Sequence, residues 1–106
     1  MVNYTPYPVR QEPIWRTISF EQITDISSST GLTDGKYNAT GVVYAQIQFT
    51  GKASRYRTNG TAPTNAIGTY IAENGSIEVW GAVDLENFRA IQTGATGLLE
   101  VTYFGS

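Results

Sequence analysis

The side chains able to do chemistry are few, and their types exclude more than they allow. The chain has no histidine and no cysteine. That removes the usual general base, the commonest zinc ligand, and any thiolate nucleophile or disulfide. Carboxylates remain. Asp84 and Glu86 are close in sequence, and Glu73, Glu78 and Glu100 fall on or near strand-like runs. A glycoside hydrolase needs two carboxylates facing each other across a cleft, one with a raised pKa. Nothing in this spacing sets up such a pair, so the acids read as solvated surface groups. Asp25, Asp34 and Asp84 offer the hard oxygens that calcium takes, but they lie far apart and the Asp-x-Asp-x-Asp-Gly loop is absent. No catalytic residue, cofactor or metal site is therefore expected.

Two other residue classes suit recognition rather than catalysis. Arg55 and Arg57 are two apart in a strand-like run, so they share a face, and Arg89 sits in another such run. Arginine is enriched at interfaces because its planar fork meets carboxylates bidentately. The plainer reading is surface arginines whose stems cover apolar area. Seven tyrosines and two tryptophans form the second class. Trp15, Tyr44 and Trp80 fall on the less apolar faces of their runs, where exposed rings suit sugar stacking or a protein interface. The general tendency of aromatics to be buried places them instead in or at the edge of a core, against a second sheet.

These residues are carried by strands. Val43, Ala45, Ile47 and Phe49 alternate with Val42, Tyr44, Gln46 and Gln48, which predicts a strand with one face on a core. In Ile14 to Phe20 the alternation puts Ile14, Arg16, Ile18 and Phe20 on one face and Trp15, Thr17 and Ser19 on the other. Ile23 to Ile26 reads as a further short strand. Ser54 to Thr58 runs into Asn59-Gly60, and Glu73-Asn74-Gly75 precedes Ile77 to Trp80; Asn-Gly supplies the positive φ angles of tight turns. Asn3-Tyr4-Thr5, Asn38-Ala39-Thr40, Asn59-Gly60-Thr61 and Asn74-Gly75-Ser76 match the glycosylation sequon, the last two being better read as turns. Phe88 to Ile91 is extended, Gly94 and Gly97 mark another turn, and Leu98 to Phe104 alternates again. Asp84 to Asn87 is the one helix-like piece, with Asp84 as its cap. The expected core is Val43, Ile47, Phe49, Ile77, Val79, Phe88, Leu99 and Val101.

Turn signals at roughly ten-residue spacing predict an all-β, antiparallel β-sandwich, jelly-roll-like, of about seven or eight short strands. Its 106 residues, 41% of them hydrophobic, suit one domain over residues 14–106. Residues 1–13 carry Pro6, Pro8 and Pro13 with Tyr4 and Tyr7 between them, the composition of an extended N-terminal arm. The net charge of −2 is too near neutral for the electrostatic footprint of a nucleic-acid binder. No run approaches the roughly 20 apolar residues of a membrane span, and Met1 to Tyr4 do not begin a signal peptide. Synthesis in a reducing cytoplasm is expected.

Three stretches together carry a resemblance. They are Ile23-Thr24 through Ile26-Ser27-Ser28-Ser29-Thr30-Gly31-Leu32-Thr33, then Arg55-Tyr56-Arg57-Thr58-Asn59-Gly60-Thr61-Ala62-Pro63-Thr64, then Asn87-Phe88-Arg89-Ala90-Ile91 followed by Leu99 to Phe104. As a set they resemble a group of small all-β proteins encoded by tailed bacteriophages and prophages among their head genes. The resemblance covers roughly residues 18 to 104 and leaves the Pro/Tyr-rich arm outside it. It implies a virion structural role, such as a capsid decoration or cement protein on the outer surface of the head, and supplies no catalytic residues. The partners it implies are the major capsid protein and neighbouring copies of the chain, in a homo-oligomer. The residues expected to touch them are Tyr4, Tyr7, Trp15, Arg55, Arg57, Trp80 and Arg89. The alternative is a carbohydrate-binding β-sandwich module using Trp15, Trp80 or a surface tyrosine as a stacking platform.

Overall fold

The computed structural model describes residues 15–106. The arm over residues 1–13, with Tyr4 and Tyr7, lies outside the described residues, as does Ile14. Seven strands and one short helix follow in the order β1 (Arg16–Ile23), β2 (Val42–Thr50), β3 (Ser54–Arg57), β4 (Thr69–Ile71), β5 (Ser76–Trp80), α1 (Ala82–Asn87), β6 (Arg89–Gln92) and β7 (Leu98–Gly105). They form two antiparallel sheets: a four-stranded one in the order β1-β7-β2-β5, and a three-stranded one in the order β4-β3-β6. The fold class is the expected all-β sandwich.

The last strand in sequence is central in space. β7 pairs with β1 on one side and β2 on the other, so the four-stranded sheet is complete only when the C-terminus is in place. Along β2, Ala45, Ile47 and Phe49 are buried while Gln46 and Gln48 are exposed. On β7, Leu99, Val101 and Tyr103 are buried beside them, and Val79 of β5 completes the inner face. Tyr56 of β3 bridges the sheets, its ring centroid 5.8 Å from Phe49 and 6.2 Å from Phe88. Ile26 and Leu32, from the β1–β2 connection, and Leu85 of α1 fill the same core. Burial of each large apolar side chain contributes about 1.5–3 kcal/mol. Glu21, on the inner side of β1, ties that connection down: its carboxylate accepts bonds from the Tyr103 hydroxyl, the Thr33 hydroxyl and the Thr33 amide.

Several expectations are corrected here. Strict alternation in the first strand fails because a β-bulge lies between Thr17 and Ser19. From the bulge onward the faces exchange: Ser19, Glu21 and Ile23 stand opposite Tyr103, Val101 and Leu99, while Phe20 stands opposite Thr102 and is 73% exposed. A second register shift, between Val42 and Tyr44, leaves Val43 only half-buried, and it is Val42 that packs against the core. Ile77 is likewise only half-buried, beside the core. The run from Ile23 to Ile26 is not a separate strand. β1 ends at Ile23, Ile26 turns into the core, and Gln92 donates its amide to the Ile26 carbonyl. Helix α1 starts at Ala82 with Gly81 as N-cap, so Asp84 sits in its first turn and does not cap it.

Two residues show why the turns form as they do. Asn74 adopts a φ of 71°, and its amide bonds back to Phe49. Gly105 sits where β1, β7 and β2 converge; a Cβ there would lie 1.8 Å from the Gly41 carbonyl oxygen, so only glycine fits.

Candidate docking surface

The outer face of the four-stranded sheet carries a row of aromatic rings. Tyr44 is in register with Trp80 on β5 and with Phe104 on β7, which aligns the three side chains across neighbouring strands. The Tyr44 and Trp80 ring centroids are 4.0 Å apart with planes 12° from parallel; those of Tyr44 and Phe104 are 4.9 Å apart and 10° from parallel. Trp15 crosses this stack at 86° to Tyr44 and 77° to Trp80, with centroids 6.1 and 5.8 Å away. Both faces of Tyr44 are therefore covered, as is one face each of Trp80 and Phe104. Each such pair contributes about 0.5–1.5 kcal/mol beyond burial. The row still reaches solvent: Trp80 is 46% exposed and Trp15 37%. The rings do not pack against a second sheet; Tyr44 is half-buried between its neighbours, while Trp15 and Trp80 stay exposed. They belong to the solvent side of a sheet whose inner side is already filled.

Beside the row the same face turns polar. A shallow cavity of about 230 Å³ is lined by Gln46, Gln48, Ser76, Glu100 and Thr102. Glu78 accepts a 3.1 Å bond from the Trp80 indole N–H, and Glu100 accepts one from the Gln22 amide. Each acid is thus tied to a neighbour on its own face. Among the described residues, no group of three or more His, Cys, Asp or Glu side chains could hold a metal ion, and no helix is long and apolar enough to cross a membrane.

The arginines occupy the outer face of the other sheet. Arg57 stands directly opposite Arg89 in the β3–β6 ladder, and Arg55 stands opposite Tyr70 and Ile91. The structure brings Arg89 beside the Arg55–Arg57 pair, which the sequence placed on a different run. Arg55 donates from Nη1 to the Gly68 carbonyl at 2.9 Å, and its guanidinium lies 5.4 Å from the Tyr70 ring centroid. Arg89 donates from Nη1 to the Phe88 and Glu86 carbonyls at 2.7 and 3.1 Å, anchoring the end of α1. The candidate residues therefore divide between two surfaces on opposite sides of the sandwich: Trp15 and Trp80 on one, Arg55, Arg57 and Arg89 on the other.

Sequence reasoning left Phe104 out of the site and weighed Tyr44 without including it. Phe104 follows Glu100 and Thr102 on the polar face of β7, and that alternation was the available signal. What aligns it with Tyr44 is the β2–β7 register, which pairs residues far apart in the chain.

Compared with known proteins, the chain matches no family model, no curated protein and no solved structure.

Proposed function

We propose that this chain is a structural protein of a tailed-phage or prophage virion, a decoration or cement protein that docks on the outside of the assembled head through the outer face of its four-stranded sheet. The observation that carries the reading is the Phe104–Tyr44–Trp80 stack crossed by Trp15. Rigid, partly exposed aromatics lose little conformational entropy on docking and are typical anchors of protein interfaces. The sequence resemblance over residues 18–104 points the same way. Many identical copies on one shell make weak individual contacts sufficient, because avidity multiplies them.

A carbohydrate-binding role is the second reading, favoured by the polar cavity beside the row. Sugars stack on open ring faces, and here the faces are largely turned on one another, which weighs against it. Co-sedimentation with purified, undecorated shells of the encoding phage separates the two. The docking reading expects wild-type protein to pellet with the shells and Trp80→Ala to remain in the supernatant. Protein that ignores the shells, but is retained on immobilised polysaccharide and released by Trp80→Ala, establishes the sugar reading instead.

A further inference from the structure

The arginine-bearing face is independent of the aromatic row and has its own chemistry. Like charges directly opposite in an antiparallel ladder repel, yet Arg57 and Arg89 are such a pair, with Arg55 next to Arg57 on the same face of β3. Among the described residues, the groups that Arg55 and Arg89 bond are backbone carbonyls, which carry no formal negative charge. The Nε atoms of Arg55 and Arg57 are buried without a hydrogen-bond partner. A buried guanidinium nitrogen left unpaired is unfavourable.

The surroundings of Arg57 are those of an acceptor-binding site. A cavity of about 290 Å³ opens at the end of β3, lined by Tyr56, Arg57, Thr58, Asn59 and Thr69. Asn59 commits its Oδ1 to the Thr61 amide at 3.0 Å, so its NH₂ group is the part left to bond a ligand. The Asn59-Gly60 turn is itself fixed by the Gly60 amide bond to the Asn87 carbonyl, one residue from Phe88 and two from Arg89. Guanidinium, amide NH₂ and threonine hydroxyls together make a donor-rich rim.

We propose that Arg57, supported by Arg55 and Arg89, is a carboxylate-recognition site that takes an Asp or Glu side chain from an acidic segment of a partner protein. Charge complementarity selects the occupant. Arginine's fork matches a carboxylate bidentately. A nucleic acid is disfavoured because the chain, at a net −2, lacks the broad basic footprint that a phosphate backbone needs. The exposed Tyr70 ring and half-buried Ile91 beside Arg55 give the face the mixed apolar and cationic character of a peptide-binding surface.

Fluorescence anisotropy on the full chain at low salt tests this with three probes: a labelled polyaspartate peptide, a polyasparagine peptide of equal length and a single-stranded oligonucleotide. The aspartate peptide is expected to bind and the asparagine peptide not to. Arg57→Gln should weaken binding about tenfold or more. Arg57→Lys, which keeps the charge and the stem but loses the fork, should also weaken it, while Lys52→Gln on another part of the surface should leave it unchanged. Circular dichroism of each variant verifies that the fold is intact, and Arg57→Lys is the decisive variant if Arg57→Gln does not fold. The proposal is overturned if Arg57→Lys binds as wild type does, or if the oligonucleotide outcompetes the peptide. It is also overturned if wild-type protein self-associates through this face and Arg57→Gln abolishes that association, since the occupant is then a second copy.

Discussion

Replacing Ile47 by alanine examines the sandwich at its centre. Ile47 is fully buried on β2, in register with Ile77 on one side and Val101 on the other. The substitution removes about three carbon groups worth about 0.8 kcal/mol each, or about 2.4 kcal/mol of transfer free energy. The inner face here is walled by two ladders and collapses little, so a cavity contribution raises the total to about 3–4 kcal/mol. With a urea slope of about 1–1.5 kcal/mol/M for a domain of this size, the midpoint should fall by roughly 2–4 M. Phe20→Ala is the matched control. Simple alternation buries Phe20, whereas the bulge between Thr17 and Ser19 turns it outward. Its removal should change stability by less than about 0.5 kcal/mol. Urea unfolding followed by far-ultraviolet circular dichroism measures both. An unchanged midpoint for Ile47→Ala, or an equally large fall for Phe20→Ala, refutes the register argued for β1, β7 and β2.

Other outcomes follow from the same contacts. Burial, together with the hydrogen bond and charge of Glu21, pushes the Tyr103 hydroxyl well above the ordinary tyrosine range. Because the folded pKa is raised, this contribution to stability is fully present below the unfolded value near pH 10 and is lost as pH rises beyond it. Alkaline titration of phenolate absorbance should show Tyr103 ionising only with unfolding, and Glu21→Gln should ease its ionisation; a Tyr103 that ionises while the chain is still folded contradicts the network. The Ser27 hydroxyl, then its amide, hold the Asp25 carboxyl below the usual aspartate range, so its contribution is present above the unfolded pKa and lost as pH falls through the folded one. Ser27→Ala should return the Asp25 carboxyl resonance towards an ordinary titration in NMR, and an unmoved titration rejects that cause. Deleting residues 98–106 removes the strand shared by two ladders and should abolish cooperative unfolding; a truncated chain that still melts sharply places β7 outside the folding unit.

Local pattern made much of this fold legible in the sequence. Period-two alternation identified β2, β5 and β7, and the Asn-Gly dipeptides marked turns that the structure places at Asn59-Gly60 and Asn74-Gly75. Non-local geometry was not legible. The bulge in β1 arises from its pairing with a strand about eighty residues later, which no window on Ile18 to Phe20 contains. Ile26 and Leu32 sit in a polar-looking loop and are buried only because β6 and sheet neighbours close over them. The same limit applied to the two surfaces. Trp15, Tyr44 and Trp80 were visible as aromatics on polar faces, but whether those faces were inner or outer depended on which sheet each strand joined. Arg57 and Arg89 were visible separately, and only the β3–β6 register sets them side by side.

The aromatic row is the centre of this account, and the chain offers a direct probe of it. Its two tryptophans, Trp15 and Trp80, are both in the row, while Tyr70 is 56% exposed on the opposite sheet. Oxidative footprinting with mass spectrometry, on free protein and on protein bound to phage heads, reads all three at once. Docking through the four-stranded sheet predicts strong protection of Trp15 and Trp80 on the head, with Tyr70 labelled as in the free protein. Tryptophans oxidised equally in both states, or protection confined to Tyr70, contradict it.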